Sequence, residues 1–229
     1  MNARLLEFTD IADEVRHFVL EATDCDELDF LPGQFVSISE PIEGKKVTRA
    51  YSIASAPHGN VFELCLNRVT DGKMSPHLFD LQVGDSVEMQ GPLGYFVLRN
   101  PVGDSLFVAT GTGIAPFRAM LKCHLPRDAK HQFTLLFGIR HERNIMYRED
   151  FDKLAAHHPN FRFWPTLSRP DEDWTGRTGH VQLHLEEAIG ERRDIDVYIC
   201  GLKAMVDDVR QRLKDLGFDR KHIIYEKYD

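Results

Sequence analysis

The sequence predicts two domains, an antiparallel β-barrel or sandwich over residues 1–100 followed by a parallel α/β sheet over residues 101–229. Three observations predict it. Up to about residue 99, apolar runs are short and separated by turn residues, as antiparallel strands require. From residue 105 onward apolar strands alternate with helical stretches, the pattern of a parallel sheet with helices on both faces. A glycine loop then sits between the first strand and first helix of the second half, where doubly wound sheets gather ligands.

In the first half, Gln34–Ile38, Tyr51–Ile53, Phe62–Leu66 and Ser86–Met89 read as strands of a barrel or sandwich. Turns fall at Leu31-Pro32-Gly33, at Pro57–Asn60 and at Val83-Gly84-Asp85. The segment Ser75–Leu81 reads as one short helix. In the second half, strands at Leu106–Ala109, Phe133–Phe137, Phe161–Trp164 and Val197–Cys200 alternate with helices near 116–124, 147–156, 181–189 and 203–216. A short strand, Ile223–Tyr225, comes last, and the boundary between the halves falls near Asn100–Gly103. There is no internal repeat and no low-complexity segment.

Composition narrows the function classes. Of 229 residues, 42% are apolar and 28% charged, which excludes disordered, collagenous and disulfide-scaffold chains. No run approaches the roughly 18 apolar residues that span a bilayer, and residues 1–7 lack a signal core. The expectation is a cytoplasmic protein, monomeric and away from membranes. Twenty-eight basic against 36 acidic residues leave a net charge of −8, so nucleic acid is not an expected partner. Cys25, Cys65, Cys123 and Cys200 are far apart, and neither His157-His158 nor the pair His180 and His184 has a carboxylate or cysteine completing a site, so no metal is expected.

The loop Gly111-Thr112-Gly113-Ile114-Ala115-Pro116 runs into a helix that accepts Pro116 in its first turn. Glycines there let the main chain approach a pyrophosphate, and the helix start supplies N–H donors. Two glycines alone also suit a plain structural turn, because Pro116 stands where the usual fingerprint has its third glycine. About 20 residues on, that fingerprint has an acid for the ribose hydroxyl, whereas this chain has Arg140. Arg140, Ser168, Arg169 and Arg177 follow strand ends or lie in the next loop. Guanidinium groups suit a 2′-phosphate, so NADP is expected over NAD, although each arginine taken singly reads as solvated surface.

With Arg49-Ala50-Tyr51-Ser52 the sequence resembles the ferredoxin–NADP reductase family of flavoproteins, whose members carry an Arg-x-Tyr-Ser/Thr motif. The resemblance runs nearly end to end through Asp71–Pro76, Gly91–Gly94, Gly111–Arg118 and Cys200-Gly201 with Met205. It implies a six-stranded, Greek-key FAD-binding barrel followed by a Rossmann-like NAD(P)-binding domain. It further implies that Arg49 contacts the flavin pyrophosphate, Tyr51 lies against the isoalloxazine and Ser52 donates toward flavin N5. By the same resemblance Gly72, Lys73, Met74 and Ser75 close on the pyrophosphate, and Cys65 and Leu66 lie on a strand lining the flavin. Cys200 and Glu226 border the hydride-transfer position, Gly201 leaves room for nicotinamide, and Tyr228 covers the flavin face. One departure is Asp229, which stands where some bacterial relatives carry a further aromatic.

The expected activity is hydride transfer between NADPH and FAD, with single electrons passed to or from ferredoxin or flavodoxin. The catalytic set is then Ser52, Cys200 and Glu226, within chemistry that belongs mainly to the cofactor. Three alternatives stand beside it: an NADH-dependent reductase component of an oxygenase, a free-flavin reductase, and a non-catalytic flavin-binding electron-transfer subunit.

Overall fold

A computed structural model describes residues 1–228, so the departure noted at Asp229 lies outside the described residues. The chain forms two compact units. One comprises Met1–Val97 with Ala115–Cys123, and the other comprises Leu98–Ile114 with the chain from His124 onward.

The first unit is a six-stranded antiparallel sheet built from β1 (Asn2–Ala12), β2 (Val15–Ala22), β3 (Phe35–Ile42), β4 (Lys45–Ser52), β5 (Val61–Asn67) and β6 (Ser86–Leu93). Their order is β4-β3-β6-β1-β2-β5, and an Ile53–Leu64 bridge brings the two edges together into a barrel. Period-two alternation decides what fills it. On β5, Phe62, Leu64 and Leu66 enter the core beside Leu5, Phe18, Val36, Ile38 and Met89. Strand β4 is different, because from Lys45 to Ala50 its side chains are largely exposed and only Ser52 is buried. The helix α1 (Met74–Phe79) sends Met74 and Leu78 into the same core.

Helix α2 (Ala115–His124) follows the glycine loop in sequence, yet Ala115–Cys123 belongs to the barrel unit. Phe117 packs on Phe96 with ring centroids 5.8 Å apart. The buried Arg118 donates to the Ala54 carbonyl at 2.9 Å and pairs with Glu63. A buried guanidinium needs such partners, because burial without them is costly.

The second unit is a six-stranded parallel sheet in the order β10-β9-β8-β7-β11-β12. Its strands are β7 (Ser105–Thr110), β8 (Phe133–Ile139), β9 (Phe161–Leu167), β10 (Arg177–Thr178), β11 (Asp196–Leu202) and β12 (Ile223–Tyr228). β7 and β11 are central and apolar almost throughout, as a sheet covered on both faces requires. One face packs Leu106, Val108, Val197 and Ile199 against α4 (Leu185–Ile189) and α5 (Lys203–Asp215). In the same sheet Phe107 stacks between Phe133 and Tyr198, with centroids 6.2 and 5.4 Å away. Helix α3 (Arg148–His157) packs Phe151 on Phe161 and Phe163 of β9.

Two details differ from the pattern expected of the sequence. The helix expected over 181–189 divides into a tight 3-10 turn, Val181–His184, and the short α4. The His184 ring is held there by Thr166 Oγ1 at 3.1 Å and the Thr178 carbonyl at 3.0 Å. Strand β10 is only two residues long and carries no period of its own. Among the described residues, no helix is long and apolar enough to cross a membrane. Phe107→Ala, which empties the middle of the aromatic stack, is expected to cost about 3–5 kcal/mol of stability, measured by denaturant unfolding.

Candidate active site

The parallel sheet reverses its strand order at β7, with β8 on one side and β11 on the other. Connections leave in opposite directions at such a point, and a crevice opens at the carboxyl ends of the strands. Gly111–Ile114 forms a 3-10 turn there. Gly111 takes a left-handed φ of +55° and has open space where a side chain would be. Gly113 has a packing reason to lack a side chain. A Cβ on Gly113 would lie 2.6 Å from the Cys200 carbonyl carbon and 2.8 Å from Gly201 Cα, so its missing side chain lets the loop rest on the end of β11. Gly201 is equally constrained, because a Cβ there would sit 2.5 Å from Thr110 Oγ1 and 2.8 Å from Met205 Cε.

Thr110 was not singled out by any motif. Its hydroxyl is buried with no hydrogen-bond partner among the described residues. Native structures rarely leave a buried hydroxyl unsatisfied. With open space at Gly111 beside it, the corner fits a polar ligand that brings its own partner. Thr112 is half-buried in the same turn, and Pro116 is buried in the first turn of α2.

The parallel pairing of β11 and β12 sets Cys200 against Glu226 and Leu202 against Tyr228. Two of the residues expected to be catalytic therefore share one corner of the sheet. Burial pushes the Cys200 thiol well up, the Glu226 charge adds to that, and hydrogen bonds from Tyr228 and the Gly201 N–H pull the other way. The result is a neutral thiol that contributes volume and a weak donor.

The expected phosphate-binding residues divide. Arg169 N donates to the Arg140 carbonyl at 2.8 Å and Ser168 N to the Ile139 carbonyl at 3.0 Å, which extends the β8–β9 ladder and sets the two arginines side by side. Both are exposed. Arg177 is already engaged, lying 3.6 Å over the Trp164 ring and donating to Glu187 at 2.6 Å. Neither Trp164 nor Glu187 was expected here, since an ion pair between the start of β10 and helix α4, ten residues apart, leaves no periodic signal.

On the barrel, the exposed Arg49 and Ala50 and the half-buried Tyr51 lead to the buried Ser52 on edge strand β4. The Arg49 guanidinium donates to the Thr48 carbonyl at 2.8 Å and to no carboxylate among the described residues. That leaves its charge available to an anion. Ser75 Oγ accepts from Val69 N at 2.9 Å and keeps its own proton to donate. The Gly72 N–H is taken by the Val69 carbonyl at 2.8 Å, so the backbone donors of this loop are those of Lys73, Met74 and Ser75 at the start of α1. Lys73 itself pairs with Glu43. Met74 and Leu66 point into the barrel core, so only their main chains can serve a ligand, while Cys65 is buried on the opposite face of β5 from Leu66. An anionic, flat, partly apolar cofactor fits this set of donors. A separate cavity of about 220 Å³, lined by Asp104, Gln132, Arg162 and Arg192, lies at the amino ends of β7–β9, away from these residues. No cluster of metal ligands occurs among the described residues.

Comparison with known proteins agrees with both units. Residues 2–98 match the oxidoreductase FAD-binding domain and residues 107–211 the oxidoreductase NAD-binding domain. The chain is 40% identical over 237 aligned positions to ferredoxin–NADP reductase B of Sorangium cellulosum, covering 99% of this chain and 97% of that one. It is 33% identical to the electron transfer component of toluate 1,2-dioxygenase from Pseudomonas putida, covering 91% of this chain and 62% of that longer protein. Among solved structures, the Amycolatopsis cytochrome P450 reductase GcoB superposes with a TM-score of 0.90 at 31% identity, over 99% of this chain and 69% of that one.

The Cys200 environment makes stability fall at alkaline pH. The folded thiol keeps its proton while the unfolded thiol loses it above about pH 8.5, so the folded state is favoured fully below that value and progressively less above it. Wild type is expected to lose about 1 kcal/mol more than Cys200→Ser between pH 8.5 and 9.5, read from urea unfolding at each pH.

Proposed function

Because the chain belongs to the ferredoxin–NADP reductase family of flavoprotein oxidoreductases, we propose that it moves a hydride between NADPH and FAD and exchanges single electrons with a ferredoxin or flavodoxin. The observation that carries this reading is the corner at the ends of β7 and β11, where the Thr110 hydroxyl, without a partner among the described residues, the open Gly111 and the Cys200–Glu226 pair converge. Such a corner accepts a dinucleotide with its nicotinamide near Cys200. The Sorangium relative, matched over 97% of its length, supports the choice of ferredoxin as partner.

FAD, when bound, supplies the conversion between two-electron and one-electron transfer. The chain's own residues supply position. The planar Arg49 guanidinium holds a pyrophosphate oxygen, Tyr51 offers a ring face, and Ser75 with the first amides of α1 completes the phosphate cradle. Ser52 donates a hydrogen bond toward flavin N5. Cys200 and Glu226 bracket the nicotinamide, the thiol as a neutral contact and the carboxylate as an acceptor for an amide. Arg140, Arg169 and Ser168 receive the 2′-phosphate.

A second reading is an NADH-dependent reductase component of an oxygenase. Two observations favour it: the likeness to the toluate dioxygenase component, and the engagement of Arg177 by Glu187, which subtracts one cation from the phosphate site.

Anaerobic stopped-flow mixing with NADPH or NADH, followed by flavin absorbance, separates the readings. Faster bleaching by NADPH is the expected result, a preference for NADH favours the oxygenase role, and no bleaching by either leaves a binding subunit. Arg140→Ala with Arg169→Ala is expected to raise the KM for NADPH about 10- to 100-fold, as loss of charge-assisted hydrogen bonds does, with the KM for NADH changed less than about 2-fold. Arg49→Ala is expected to emerge from a desalting column with most of its FAD lost, and full retention would sink the pyrophosphate role.

A further inference from the structure

Building on the reading of residues 140–177 as a 2′-phosphate site, we propose that Glu187 is a specificity-determining residue, an internal rival of the 2′-phosphate for Arg177 that holds the preference for NADPH over NADH below what three arginines would give. Arg177 opens β10 and is paired through the ladder with Thr166 on β9, next to the strand end that carries Ser168 and Arg169. Its guanidinium is held on two sides. The Trp164 ring lies 3.6 Å beneath it, and Glu187 Oε1 accepts from Nη2 at 2.6 Å. The Nε atom is buried and has no partner among the described residues, so the group has donor capacity left over.

Glu187 remains charged in this setting. The hydrogen bond from Arg177 holds its carboxyl below the usual carboxylate range, with burial opposing it and the Arg177 and His184 charges adding to it. The His184 ring lies 4.0 Å from the other carboxylate oxygen. With 57% of the Glu187 side chain in solvent, the pair is a weak, screened one that a stronger anion can displace.

The contrast with Arg140 and Arg169 carries the inference. Those two are exposed and have no carboxylate partner among the described residues, so a 2′-phosphate gains their charge outright. At Arg177 the same phosphate, carrying roughly −1.5 to −2 charges, meets a cation already neutralised and a carboxylate within hydrogen-bond reach of it. It must displace Glu187 or sit beside a like charge. A ribose 2′-hydroxyl is uncharged and meets no such penalty. Glu187 therefore acts against NADPH and leaves NADH alone.

The test uses the FAD-loaded protein and calorimetric titration with adenosine 2′,5′-bisphosphate and, separately, adenosine 5′-monophosphate. Glu187→Gln keeps the side-chain volume and removes the charge. It is expected to tighten the bisphosphate about 3- to 10-fold, to change the monophosphate by less than about 2-fold, and to lower the KM for NADPH relative to NADH in the same proportion. Arg177→Ala combined with Glu187→Gln is expected to abolish that gain. Unchanged bisphosphate binding in Glu187→Gln, in a protein whose Arg140→Ala variant does weaken it, overturns the role of Glu187 alone. Equal binding of the two nucleotides by wild type, insensitive to both Arg140→Ala and Arg169→Ala, overturns the phosphate site and the proposal together.

Discussion

The second unit depends on a contact between two stretches of main chain. Where the strand order reverses at β7, the turn Gly111–Ile114 must leave β7 and cross the end of β11 with nothing between them. Gly113 has no Cβ because the Cys200 carbonyl occupies its place, and Gly201 has none because Thr110 and Met205 do. Thr110, Gly113 and Gly201 form one steric unit, since each lacks or buries a side chain to admit the next. A reversal of strand order opens a crevice in any doubly wound sheet. The close approach of the loop determines that this crevice is floored by backbone and edged by one buried hydroxyl and one buried thiol.

Chemistry follows from that packing. Cys200 is enclosed by the loop and by β12, whose register sets Glu226 directly opposite. Enclosure and a neighbouring carboxylate both disfavour a thiolate, so the residue is a poor nucleophile and a good neutral neighbour for an uncharged ring. Thr110 presents the converse case, a polar group with no partner among the described residues. A fold that tolerates such a group at one end of its central strand, while burying most of the rest in apolar contact, carries a local mark of ligand binding.

Arginine is used in three distinct ways. Arg118 is buried and committed to partners that include the Ala54 carbonyl and Glu63, fastening α2 to the barrel. Arg177 is half-committed, stacked on Trp164 and paired with Glu187. Arg49, Arg140 and Arg169 are exposed with no carboxylate partner among the described residues. In a chain of net charge −8, local placement of this kind leaves cationic groups open to an anion while the overall field remains acidic.

Much of this was legible in the amino-acid sequence. Period-two alternation marked β3, β5 and β6, and apolar runs between helical stretches marked β7, β8, β9 and β11, because burial on one face or two leaves a periodic trace. The Gly111–Pro116 loop was marked by its glycines between a strand and a helix, and Arg49–Ser52 and Cys200-Gly201 by their resemblance to the ferredoxin–NADP reductase family. Tertiary structure alone decided what joins distant residues. Helix α2 clusters with the barrel through bonds from Arg118 to residues 64 and 55 positions away, and the end of β11 occupies the space a Gly113 side chain would need. Arg177 is partly neutralised by a glutamate on α4, and the side chains of Leu66 and Met74 are spent on the barrel core. Local pattern records how a segment is buried, whereas charge pairing and close backbone approach depend on three-dimensional neighbours that no spacing along the chain encodes.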